Sequence, residues 1–179
     1  QILGLEWRSG AFLLFAFFPM EFSTPYKELF FGQNILMFFS YSLLHGNFFH
    51  MIINVAILFA LGKQIEKRVG MINFILIFVS TAIIGAVAYQ ILSSGNSVPM
   101  VGASGGVFGF FGFLKGKELF FRLKNHLTIL PFLNLVFGLV VLHIVLILLH
   151  PSIIPFQIGW HGHLGGFVFG VILAGVIKE

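Results

Sequence analysis

The sequence predicts an all-α fold, a polytopic bundle of transmembrane helices, and three observations carry that prediction. Of 179 residues, 58% are hydrophobic and 9% charged, with a mean hydropathy of +1.02, whereas soluble domains carry about 25% charged residues. The apolar residues fall in runs of about 20, the length that crosses a hydrocarbon core about 30 Å thick. Short patches of Gly, Pro, Ser, Asn and Lys punctuate those runs. A water-soluble monomer is thereby excluded. All six acidic residues are Glu (6, 21, 28, 66, 118 and 179), and Asp and Cys are absent. Sites that need an Asp orienter, an Asp pair, a thiolate or a disulfide are excluded with them.

The chain reads as a single domain, 1–179, in two parts. Residues 1–33 contain Ala11 to Met20, apolar but about half the length of a span, behind Glu6 and Arg8. This part reads as an interfacial or loop segment on the outer face. The chain begins with Gln1 and shows no n-region, h-region and cleavage site, which predicts a trimmed chain or fragment.

Residues 34–179 read as the helical core, with five evident spans. The first, Ile35 to Leu61, is interrupted by His45-Gly46-Asn47, with Asn47 a fitting N-cap for a helix from Phe48 to Gly62. That helix is about 21 Å long at 1.5 Å per residue. Met71 to Leu92 is an ordinary span. Ser104 to Leu114 is short, about 17 Å before Lys115 snorkels to the surface. Leu127 to Leu149 and Ile158 to Ile177 complete the set. The connections are read at Gly62 to Gly70, Ser93 to Asn96 with Pro99, Lys115 to Asn125, and Pro151 to Pro155. Two helices that start below the outer surface must be reached by irregular backbone, which survives at membrane depth only where it is buried in protein or lines a wet cavity.

Orientation follows from retention of positive residues on the cytoplasmic side. Lys63, Lys67, Arg68, Lys115, Lys117, Arg122, Lys124 and Lys178 share one side, eight of the ten basic residues. An odd number of spans then places residue 1 and Gly10 to Gln33 outside. The net charge of +4 reflects this retention rather than a nucleic-acid surface, because the basic loops are short and sit beside spans.

Few polar side chains are left at membrane depth, and they fall in three groups. Gly102-Ala103-Ser104-Gly105-Gly106 opens the short helix. A serine there faces unpaired N–H groups and the positive end of the helix dipole, which suit a developing oxyanion. The alternative is plain helix packing by Gly102, Gly105, Gly109 and Gly112. A G-x-S-x-G elbow of the α/β-hydrolase kind fails for want of a parallel-sheet pattern and of Asp. His50 and Asn54, four residues apart, share a helix face, with His45 just before it. Polar residues inside a membrane are costly and point to a site by default. Zinc is the competitor, given His161-Gly162-His163, but there is no H-E-x-x-H motif, no Cys and no Glu beside any histidine. No metal and no cofactor is predicted.

In the third group, His163 stands one turn before Gly166, and Gly166 with Gly170 forms a small-xxx-small face. Packing that face on Gly105 and Gly109 would bring Ser104 and His163 together. A serine beside a histidine base is an activated nucleophile. With no carboxylate to orient the imidazole, aromatic packing by Phe108 is the expected substitute.

These residues resemble the rhomboid intramembrane serine proteases, from about Tyr41 to Gly170. The resemblance implies a Ser104 nucleophile in G-x-S-G, a His163 base in H-x-x-G-x-x-x-G, and an H-x-x-x-x-H-x-x-x-N element at His45, His50 and Asn54. It implies that His50, Asn54 and the Ser104 N–H form the oxyanion hole, that Gly102 opens the serine motif on the substrate-stabilising side, and that Glu66 in Glu66-Lys67-Arg68 is structural. A six-span core is implied, its first span lying before Gln1 or reduced to a remnant. The resemblance further implies an endopeptidase in a bacterial cytoplasmic membrane, its site open to the outer side, acting on transmembrane protein substrates with no nucleic-acid or metal partner. Two departures stand out: the family's Trp-Arg pair is replaced by Leu36-Met37, with Trp7-Arg8 too early to be its counterpart, and Phe108 replaces a tyrosine of some relatives. The alternatives are a rhomboid-like protein that binds transmembrane clients without cutting them, and a small transporter or channel, which the lack of an inverted repeat disfavours.

Overall fold

The computed structural model describes residues 2–19, 28–93, 98–149 and 159–178. The links expected at 94–96 and 151–155, and the expected start of the last span at Ile158, lie outside the described residues. The elements are α1 (Ile2–Phe15), α2 (Gln33–Ser40), a 3-10 turn (Tyr41–Leu43), α3 (Phe48–Leu92), α4 (Ser104–Lys124), α5 (Leu130–Leu149) and α6 (Trp160–Val176). The chain is all-helical as expected, and pairing between extended segments among the described residues is one antiparallel bridge, Phe17 to Met100. Two helices, α3 and 130–148 of α5, are long and apolar enough to cross a membrane, and α6 is a shorter apolar helix.

The break before α3 falls where the sequence places it. Leu44 is extended, and Asn47, also extended, accepts the His50 N–H on its side-chain oxygen at 2.8 Å. This is an N-cap bond that satisfies one orphan donor of the first turn. Beyond that point the sequence reading needs correction. The stretch from Gly62 to Gly70, read as a loop, is helical, and α3 breaks only at Gly70, whose φ of 79° favours glycine. Lys63, Gln64, Glu66, Lys67 and Arg68 are straight-chain residues that lose little freedom in a helix, so the helix continues past the apolar zone.

Helix α4 likewise runs to Lys124 rather than stopping at Leu114. Glu118 accepts from Lys115 Nζ and Arg122 Nε, both at 3.0 Å, at the i+3 and i+4 spacings that join neighbours on a helix face. Those hydrogen bonds hold the Glu118 carboxyl below the usual carboxylate range. Lys117 Nζ donates to the Ile177 carbonyl at 2.6 Å, capping the end of α6.

The N-terminal segment, read as interfacial or loop, is in part helical. Helix α1 occupies 2–15 and is tied to α2: Ser40 Oγ donates to the Phe15 carbonyl at 2.8 Å, and buried Gln33 donates to the Leu13 carbonyl at 2.8 Å. Arg8 donates to the Gly46 carbonyl, so Arg8 ties the N-terminal segment to the turn before α3. Met37, of the Leu36-Met37 pair, is buried with Phe17, Tyr41, Tyr89 and Met100 in one core cluster.

A second cluster, Ile65, Ile77, Phe110, Phe113 and Ala174, joins α3, α4 and α6. Helix α4 is central to it. A Cβ added at Gly166 would overlap the Gly105 carbonyl, one at Gly170 the Gly109 carbonyl, and one at Gly112 the Phe167 carbonyl. The small faces read from sequence therefore meet backbone to backbone. Helix α5 contributes no residue to either cluster, and none of its membrane-length window is buried.

Candidate active site

The N-terminal ends of α3, α4 and α6 converge, and the polar residues singled out in the sequence converge with them. Ser104 is the first residue of α4, so its N–H belongs to the orphan donors of a helix start. The close approach of α4 and α6 at Gly105 and Gly166 sets the next distance. Ser104 Oγ lies 2.8 Å from His163 Nε2. Phe108, one turn into α4, stacks on the His163 ring with centroids 4.3 Å apart and planes 7° apart. It is in the place expected for an aromatic support.

His50 reaches the same neighbourhood from α3. A Cβ added at Gly102 would lie 2.6 Å from the His50 ring, and Gly102 has φ of 124°. Both space and backbone conformation require glycine there. The Gly102 N–H donates to the Tyr41 carbonyl at 3.0 Å. Gly102, expected on the substrate-stabilising side, makes room for the His50 ring. Tyr41 in turn donates its hydroxyl to the Ala82 carbonyl at 2.8 Å, a bond made across the bundle.

Asn54 is buried and donates to the His50 carbonyl at 2.8 Å, which leaves its second amide hydrogen for another acceptor. The His45 and His50 rings lie edge to face, with centroids 5.3 Å apart. His161, the rival of His163, stacks on Trp160 at 3.8 Å and meets the Tyr89 ring at 5.6 Å. Glu66 is exposed on the second half of the first α3 segment, consistent with no part in this cluster. Among the described residues no three metal-binding side chains come together.

One residue at this site was not found from the sequence. His143, about two-thirds of the way along α5, has Nε2 2.9 Å from His163 Nδ1 and Nδ1 2.8 Å from the Leu139 carbonyl. Its ring also meets Phe108 edge-on at 5.5 Å. The signal was an ionisable residue well inside a mostly apolar span, which is costly unless it has a partner. A cavity of about 320 Å³ opens between α4, α5 and α6, walled by Phe108, Val140, Ile144, Trp160 and Leu164 with His143 and His163 among its lining.

The chain is similar to known proteins. The rhomboid protease GluP of Bacillus subtilis (strain 168) is 27% identical over 140 residues, covering 75% of this chain and 24% of that protein. The RHOMBOID-like protein 5 of Arabidopsis thaliana is 27% identical over 135 residues, covering 75% of this chain and 41% of that protein. The chain thus spans a minor part of the length of these relatives. The family model described as a rhomboid domain matches residues 32–179, from the start of α2 onward. That stretch contains Ser104, His163, His50 and Asn54, and the chain belongs to the rhomboid family.

Proposed function

We propose that this protein is an intramembrane serine endopeptidase that cleaves transmembrane or juxtamembrane segments of other membrane proteins. The observation that carries the reading is the 2.8 Å approach of Ser104 Oγ to His163 Nε2 at a helix N-terminus. His163 Nε2 takes the Ser104 proton as Oγ bonds to the substrate carbonyl carbon. The resulting oxyanion is held by the Ser104 N–H, the remaining Asn54 amide hydrogen and the His50 side chain. His163 then gives the proton to the leaving amine, and water hydrolyses the acyl enzyme.

A transmembrane helix hides its peptide bonds in its own hydrogen bonds, so substrates need helix-breaking residues near the cut and a small residue before it. The apolar cavity beside His163 suits a membrane-embedded chain. Retention of the basic residues would put the Gly70 break of α3 and the Lys124 end of α4 in the cytoplasm and the Ser104 end toward the outer side of the membrane, a bacterial cytoplasmic membrane on this reading.

The test is cleavage of a model transmembrane substrate by purified protein in detergent or lipid. Wild type is expected to cut, and Ser104→Ala to be inactive. Cleavage persisting in Ser104→Ala would overturn the mechanism, and substrate binding without any cleavage by wild type would favour a client-binding role instead. In the same assay Asn54→Ala is expected to lower turnover about 100-fold or more, the usual cost of one lost oxyanion donor.

A further inference from the structure

The proposed dyad leaves His163 Nδ1 unexplained. A histidine base needs its second nitrogen fixed, or the ring can rotate or adopt the wrong tautomer. Phe108 stacking sets the plane of the ring, but an aromatic face cannot choose between the two nitrogens. The hydrogen-bond chain on the other side of His163 can.

The protons can be assigned from its fixed end. The Leu139 carbonyl only accepts, so the 2.8 Å contact requires a proton on His143 Nδ1. In a neutral ring with Nδ1 protonated, Nε2 is an acceptor. At 2.9 Å that acceptor demands a proton on His163 Nδ1. His163 Nε2 is then the lone-pair nitrogen and faces the Ser104 hydroxyl at 2.8 Å. The chain from Leu139 to Ser104 therefore selects the one His163 tautomer that can act as a base.

From this geometry we infer that His143 is the positioning residue of His163, so that the site is a row of three side chains, Ser104, His163 and His143, with the third delivered by α5. The inference rests on the Ser104 and His163 roles proposed above. As Oγ bonds to the substrate carbon, the Oγ proton passes to His163 Nε2 and the carbonyl electron pair moves onto the oxygen. His163 becomes an imidazolium whose Nδ1–H is already bonded to His143 Nε2. A hydrogen bond to a charged donor is stronger than one to a neutral donor, so His143 favours the charged transition state over the ground state. When the C–N bond breaks, the same proton leaves Nε2 for the amine, and His143 neither gains nor loses one. Since α5 is in neither buried cluster, its seating beside α4 and α6 governs whether the base is oriented.

The experiment compares His143→Phe, which keeps a ring but removes the acceptor, with His143→Gln, whose side-chain oxygen can still accept from His163 Nδ1. The expected result is a kcat lower by about 10- to 100-fold in His143→Phe with KM unchanged, matching the loss of one hydrogen bond to a charged group. His143→Gln should recover most of that loss. A wild-type kcat in His143→Phe, a change in KM alone, or a Gln variant as impaired as Phe would overturn the inference. Ser104→Ala is run alongside, so that cleavage independent of Ser104 overturns the proposed function while Ser104-dependent cleavage indifferent to His143 overturns this inference alone. Nitrogen-15 NMR of labelled histidines in the wild-type protein decides the matter even if the variants fail to fold. His163 should carry its proton on Nδ1, and a proton on Nε2 with Nδ1 bare would contradict the assignment.

Discussion

Replacing His163 with alanine is expected to lower turnover about 10⁶-fold, the scale on which a serine protease loses rate without its histidine base, whereas His161→Ala should leave it within about threefold. The two histidines are separated by one residue, so a helix turns them to different faces. His163 meets Ser104 at 2.8 Å and His161 lies between Trp160 and Tyr89. Initial rates on a transmembrane substrate, with protein folding checked by thermal unfolding, measure both variants. Inactivation by His161→Ala with activity retained in His163→Ala would reverse the assignment.

The second large effect concerns the surface that brings these residues together. Gly166→Leu should destabilise the protein by about 3 kcal/mol or more, the upper range for forcing volume into a packed interior, and abolish activity in whatever folds. A Cβ at position 166 already overlaps the Gly105 carbonyl, and backbone cannot swing aside as a side chain would. Relief requires α4 and α6 to separate, and they carry Ser104 and His163. A displacement near 1 Å between reacting groups costs about 100-fold in rate by itself. Gly138→Ala is the matching control, because an added Cβ there meets nothing within 4 Å. Thermal unfolding in one detergent should rank Gly166→Leu far below wild type and leave Gly138→Ala at wild type or slightly above, since alanine is the better helix former.

How much of this was legible in the sequence differs from residue to residue. Ser104, His163 and the glycines beside them were readable because small residues at i and i+4 allow only close packing, and close packing fixes which side chains meet. The Asn47 cap was readable because its short acceptor stands directly before an apolar helical run. The polar stretch from Gly62 to Gly70 was misread, since charge marks the membrane boundary and not the end of a helix. Its straight-chain residues kept the helix going to the one glycine with positive φ. The helical form of α1 was obscured for a related reason, a segment too short to span being assigned by length alone. His143 was missed because one ionisable residue in a mostly apolar helix carries no periodicity, and its partner lies 20 positions away in sequence. The engaged N–H of Gly102 was beyond sequence altogether, since Tyr41 reaches it only through the fold.

The central claim is that Ser104 is a nucleophile made reactive by His163. The most direct measurement is to treat the purified protein with a fluorophosphonate and map the adduct by mass spectrometry. The expected result is a single covalent adduct on Ser104, absent in Ser104→Ala and strongly slowed in His163→Ala. An adduct on another residue, or labelling of Ser104 at an undiminished rate without His163, would contradict it.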